Sequence, residues 1–99
     1  MPINYKLYPK ARFDLEIAWR DGFKKWGKNR ADVYIDDLAS FFSDLSYSPT
    51  LYRERTELNP PVRLCSWKSH IIVYVVDHGV VHIVRVLHKS ADIHSILRA

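Results

Sequence analysis

Three β-branched, apolar runs lie almost end to end between Val62 and Leu87, and this constrains the fold more tightly than any other feature of the chain. Val62 to Trp67, Ser69 to Val76 and Val80 to Leu87 are joined by connections too short for anything but antiparallel neighbours. Asp77-His78-Gly79 suits a three-residue hairpin loop, with Gly79 free to take positive φ. That loop opposes Val76 with Val80, Tyr74 with His82, Val73 with Ile83 and Ile71 with Arg85. The other connection, Lys68-Ser69, places Trp67 opposite His70, although neither residue is a good hairpin-turn former.

Because side chains alternate along a strand, this register divides the sheet into two faces. One holds Val62, Leu64, Ile71, Val73, Val75, Val81, Ile83 and Leu87 and is expected to pack on the helices, with Arg85 at its end. The other holds Arg63, Cys65, Trp67, His70, Ile72, Tyr74, His82, Val84, Val86 and His88, with Arg63, Tyr74 and His82 in one row. An arginine at the end of an apolar face requires a carboxylate. Asp92, just past the polar run His88-Lys89-Ser90, is the nearest in sequence, so Arg85 and Asp92 are expected to form a structural pair.

Upstream, Ile3 to Leu7 alternates and reads as a short strand, and Pro9 suits the first turn of a helix. From Ala11 the residues Leu15, Ala18, Gly22 and Trp26 recur every three or four positions, and Trp26-Gly27 ends this helix. Asn29 is the expected cap of a second helix, with Ala31, Ile35, Leu38, Phe42 and Leu45 along one side. A short polar break between them makes an antiparallel helix pair, and Ser46 to Pro61 reads as a loop. The order β-α-α-β-β-β gives an α+β fold in which the helix pair covers one face of a mostly antiparallel, curved sheet.

Phe13 and Ile17 lie opposite the core side of the first helix and share that side with Lys10, Arg20 and Lys24. An apolar pair rimmed by cations suits an acidic, amphipathic partner segment, unless Ile93, Ile96 and Leu97 of the tail cover it. Residues 1–30 carry eight Lys or Arg against three acids, residues 31–60 two against six, and residues 61–99 five against two. The net charge of +4 is therefore unevenly placed, which favours an acidic partner without saying whether it is protein or nucleic acid. No signal peptide or span-length apolar run is recognisable, and the single Cys65 points to a reducing compartment. One cytoplasmic domain over residues 1–99 is the expectation. The five histidines show no ligand spacing, so neither metal nor other cofactor is expected.

Four motifs carry a family resemblance. The segment YPKARFDLEIAW, with Pro9, Ala11, Asp14 and Leu15, resembles the helix start of ParE toxins in the ParE/RelE toxin–antitoxin superfamily. WGKNRADVYIDDL is similar to that family's Trp-Gly followed by Ala, Tyr and Leu, here Trp26, Gly27, Ala31, Tyr34 and Leu38. SHIIVYVV, with Ser69, His70, Ile72 and Tyr74, resembles its Ser-His strand, and IVRVLHKSAD, with Arg85, His88 and Asp92, its final strand and turn. Two positions depart from the pattern, Pro61 before the Val62-Arg63 strand entry and Ala91 before Asp92.

The resemblance implies a RelE-like fold and a toxin that poisons DNA gyrase, blocks replication and is held by a ParD-like antitoxin. It implies no catalysis, no membrane and no direct sequence-specific nucleic-acid binding. Phe13, Ile17, Arg20 and Lys24 are then the candidate antitoxin site. His88, Lys89, Ile93, His94, Ile96, Leu97 and Arg98 are the candidate gyrase contacts, with residues 93–99 dispensable for folding and needed for toxicity. The rival is a RelE-like, ribosome-dependent mRNA endoribonuclease, in which Arg63, Tyr74, His82 and His88 supply cation, acid and base. No Tyr follows Tyr74 and the sheet has no lysine cluster, which disfavours it.

Overall fold

The computed structural model describes residues 5–98, with the side chain of Arg98 excepted. It shows β1 (Tyr5–Leu7), α1 (Pro9–Trp26), α2 (Lys28–Tyr47), β2 (Glu54–Arg55), β3 (Val62–Trp67), β4 (His70–Asp77), β5 (Val80–His88) and α3 (Ile93–Arg98). The strands form one sheet in the order β1-β5-β4-β3-β2. All neighbours are antiparallel except β1, which runs parallel to β5. Ile3 and Asn4 of the expected first strand lie outside the described residues.

Pro9 opens α1, where a missing N–H costs nothing. The two long helices are separated by Gly27 alone, whose φ of 90° lies in the left-handed region. Its N–H caps α1 on the Phe23 carbonyl and its own carbonyl accepts the Ala31 N–H, so one residue ends a helix and begins the next. Asn29, expected as the cap, is therefore already inside α2. In the segment expected to be loop, α2 runs on to Tyr47, and Glu54–Arg55 pairs with Arg63 and Val62 as a short edge strand.

The β4–β5 hairpin corrects the expected register. Asp77 pairs with Val80, so only His78 and Gly79 form the loop, with φ of 52° and 77°. Positive φ at both loop positions is the pattern of a type I′ turn, whose twist matches that of the strands, and His enters the left-handed region more readily than most residues. Tyr74 then faces Ile83, whereas Val73 faces Arg85, which leaves Val84 as the extra residue of a bulge. The two-residue loop moves Val81 and Ile83 to the opposite face from Val73 and Val75.

The helices consequently cover the face expected to be mixed. Ala11, Leu38, Phe42 and Leu45 pack with Cys65, Ile72, Tyr74, Val81, Ile83 and Val86 in the main core. The other face carries Val62, Val73 and Leu87 in a smaller cluster with Leu64, Val75 and Val84, and it is covered by Ala91, Ile93, Ile96 and Leu97 of the tail. The tail thus lies on the sheet and leaves Phe13 and Ile17 exposed. Among the described residues, no helix is long and apolar enough to cross a membrane.

Candidate functional site

Arg85 joins the helix layer to the sheet through a partner other than the expected Asp92. Its Nε donates to Asp14 Oδ2 at 2.8 Å and its second guanidinium nitrogen to Oδ1 at 3.0 Å. The Val86 N–H donates to the same carboxylate at 2.9 Å. The reason lies at the sheet edge: β1 ends opposite Ile83, and past that point β5 has no strand on its outer side. Asp14 replaces the missing strand as acceptor and also neutralises the arginine, whose pKa its hydrogen bond raises further. Asp92 instead caps the start of α3, accepting from the N–H and hydroxyl of Ser95 at 3.3 and 2.7 Å. A sequence signal for the true partner exists, since Asp14 falls between Ala11 and Ala18 on the buried side of α1.

The second, third and fourth sequence motifs meet at one end of the molecule. The rings of Trp26 and Tyr34 lie 5.9 Å apart, those of Tyr34 and His70 5.6 Å, and those of His70 and His88 5.6 Å. The Tyr34 hydroxyl bonds His70 Nδ1 at 2.7 Å. His88 closes this row at the surface, where the Ser90 N–H donates to its Nδ1 and so leaves the neutral ring's proton on Nε2. The Lys89 N–H donates to the Ser69 carbonyl at 2.9 Å, fastening the end of β5 to the β3–β4 turn. Trp26 and Tyr34 were not among the candidate site residues.

Burial, together with the neighbouring charge of His88, holds the His70 pKa below its ordinary 6.5, against the smaller pull of Asp21 and Asp14. Well above pH 6.5 His70 is therefore uncharged in both folded and unfolded chains. As pH falls below about 6.5 the unfolded chain takes up the proton first. Stability is thus full above that pH and declines until the depressed folded pKa has been passed. A ring-proton NMR titration is expected to place His70 below the ordinary 6.5, and His70→Gln should flatten the stability profile in that window. An ordinary or raised His70 titration would contradict this account.

The expected row of Arg63, Tyr74 and His82 does not form. Arg63 does face Tyr74, but Tyr74 faces Ile83, and His82 pairs with Val75. His82 lies between Val81 and Ile83 of the main core, so strand alternation points it away from the helices. Tyr74 is fully buried, donates its hydroxyl to the Pro49 carbonyl at 2.9 Å, and has its pKa pushed up to about 12, chiefly by burial. Arg63 donates to the Tyr52 carbonyl at 2.6 Å and braces the same segment. Burial also pushes the Cys65 thiol up to about 12, so it is no nucleophile. Among the described residues, no three His, Cys, Asp or Glu stand together as a metal site.

Of the other candidates, Phe13 is 57% exposed and Ile17 40%, and Arg20 and Lys24 continue the same exposed stripe of α1. His88, Lys89 and His94 are exposed, whereas Ile93, Ile96 and Leu97 are half-buried against the sheet. The side chain of Arg98 lies outside the described residues.

Residues 5–93 match the family model described as the ParE toxin of type II toxin–antitoxin systems, parDE. This chain belongs to the ParE toxin family. Toxin ParE1 of Mycobacterium tuberculosis is 32% identical over 94 residues, spanning 94% of this chain and 96% of that toxin. Toxin ParE1 of Caulobacter vibrioides is 32% identical over 89 residues, spanning 89% and 91% of the two chains. A solved structure described as a chromosomal ParDE toxin–antitoxin system from P. aeruginosa superposes with a TM-score of 0.74 at 18% identity. The match covers 87% of this chain and 95% of that one, a likeness of fold. As a ParE toxin, the chain is the toxic half of a bacterial two-component module and has a cognate antitoxin as partner.

Proposed function

We propose that this ParE toxin acts by poisoning DNA gyrase, without catalysis of its own, and is neutralised by an antitoxin segment laid along α1. The target is inferred from the ParE family resemblance. The absence of catalysis is supported chiefly by one observation: Tyr74, the tyrosine of the ribonuclease reading, is sealed in the core. A general acid or base must reach the substrate, and His82 faces away from both Tyr74 and the helix layer. Purified toxin is expected to stop gyrase supercoiling and accumulate cleaved DNA while an in vitro translation reaction proceeds normally. Cut mRNA with unaffected gyrase would replace this reading with the RelE-like one.

The α1 stripe supports the antitoxin half of the proposal. Phe13 and Ile17 offer apolar area with Arg20 and Lys24 beside it, a surface suited to an acidic, amphipathic segment. Phe13→Asp and Lys24→Glu are each expected to weaken antitoxin binding on the order of tenfold or more. Both positions are exposed, so the unfolding midpoint should not move. Calorimetry showing wild-type affinity in both variants would remove the site from α1.

A further inference from the structure

A cleft of about 400 Å³ opens where the end of α1, the start of α2 and the β3–β4 turn meet. Trp26, Val33 and Tyr34 line it as apolar surface, and Arg30, Asp37 and Lys68 stand around them. Trp26 is 42% exposed and Val33 57%, so the described residues leave this surface uncovered. Both cations are held over ring faces. Arg30 lies 5.2 Å from the Trp26 centroid, and Lys68 Nζ lies 4.7 Å from that of Trp67 and 5.5 Å from that of Tyr34. Cations braced in this way present their remaining donors in a fixed place.

The turn that carries Lys68 is costly for the residue it uses. Lys68 has a φ of 50°, the left-handed region, while Ser69 does not. Positive φ at the first position alone is the sign pattern of a type II′ turn, where glycine is the ordinary occupant. A lysine kept at such a position points to a use for its side chain, because strained backbone collects where function requires it.

We infer that this cleft is where the toxin grips its target enzyme, by receiving a bulky apolar side chain flanked by carboxylates on the target's surface. The inference rests on the gyrase reading above. The volume suits one large anchor side chain, and the exposed Trp26 and Arg30 with the half-buried Tyr34 are of the residue types that dominate protein interfaces. Lys68 pairs with Asp37 at 3.7 Å, so the rim's net positive charge rests on Arg30, and that charge selects an acidic neighbour for the anchor. A nucleic-acid strand fits less well. It needs a run of cations to track successive phosphates, and the cleft is lined by only two, Arg30 and Lys68. The antitoxin stripe faces elsewhere, since Trp26 stands about 200° around α1 from Lys24 at about 100° per residue. The same cleft residue Tyr34 leads through His70 to His88, beside the exposed Lys89.

Full-length toxin carrying Val33→Glu or Lys68→Gly tests the inference against purified gyrase and purified antitoxin. Both variants should bind gyrase at least about tenfold more weakly, inhibit supercoiling correspondingly less and keep wild-type antitoxin affinity. Lys68→Gly should remain folded, because relief of the positive φ offsets the lost ring contacts and exposed ion pair. Lys68→Arg should restore most of the binding. Wild-type gyrase binding by both folded variants overturns the inference and leaves the gyrase reading standing. Antitoxin affinity that falls in parallel assigns the cleft to the antitoxin and overturns it. Single-stranded oligonucleotide binding by wild type that both variants lose assigns the cleft to nucleic acid, with the same result. If wild-type toxin leaves gyrase untouched, the gyrase reading and this inference fall together.

Discussion

Replacing Arg85 with alanine is expected to lower the free energy of unfolding by about 3–5 kcal/mol, because it leaves the Asp14 carboxylate buried without its cation. Asp14 is 7% exposed and still accepts the Val86 N–H after the substitution, while the arginine side chain keeps 23% of its surface in water. That residual hydration places the loss at the lower end, near about 3 kcal/mol. Arg85→Lys keeps the charge but not the two-pronged geometry, so an intermediate loss is expected. Urea denaturation of the two variants, with Asp14→Ala and the double mutant, measures the coupling. Additive losses from Asp14→Ala and Arg85→Ala would mean that the two groups do not act as a pair. The exposed Lys28–Asp32 pair on α2 is a useful contrast, since its removal should shift the midpoint little.

Removing residues 93–99 is expected to destabilise the fold by about 2–4 kcal/mol, the order expected when half-buried Ile93, Ile96 and Leu97 are deleted and the apolar surface beneath them is opened. Val73, fully buried beside the tail, and Leu87, 5% exposed, would then face water. A folded truncation, if obtained, should bind a hydrophobic dye and self-associate. This differs from the sequence-based expectation that the tail is dispensable for folding. Loss of toxicity on truncation would therefore report loss of structure, and only exposed substitutions such as Lys89→Glu or His94→Ala separate contact from fold. A truncated chain with an unchanged denaturation midpoint would show that the second apolar cluster does not depend on α3.

The elements were legible where periodicity and punctuation agree. Pro9 and Gly27 bound α1, and the Ala31, Leu38, Phe42 and Leu45 spacing gives α2. The three C-terminal strands follow from their β-branched runs. What could not be read was decided by single residues with long-range consequences. Asp77-His78-Gly79 supports either a two- or a three-residue loop, and the choice decides which face meets the helices. The bulge at Val84 has no local signature. The Asp14–Arg85 pair spans most of the chain, and sequence distance favoured Asp92 instead. At the candidate site, Tyr34 and His70 were visible as motif members, but only the fold brings Trp26, Tyr34, His70 and His88 into one row. Where local rules failed most plainly, at Lys68-Ser69, the structure has its strained turn beside an open cleft.

The central place of β5 bears on how the toxin comes into being during synthesis. Residues 5–77 supply both long helices and four strands, yet the strand that joins β1 to β4 has not been made at that point. A nascent chain of that length lacks Val81, Ile83 and Val86 of the main core, and its Asp14 has neither Arg85 nor the Val86 N–H to meet. Pairing of β1 and β4 with β5 must wait until β5 has emerged, because these contacts join distant parts of the chain. A translation product that stops before β5 lacks these contacts and is expected to be open to proteases. The main core therefore closes only once β5 has been made.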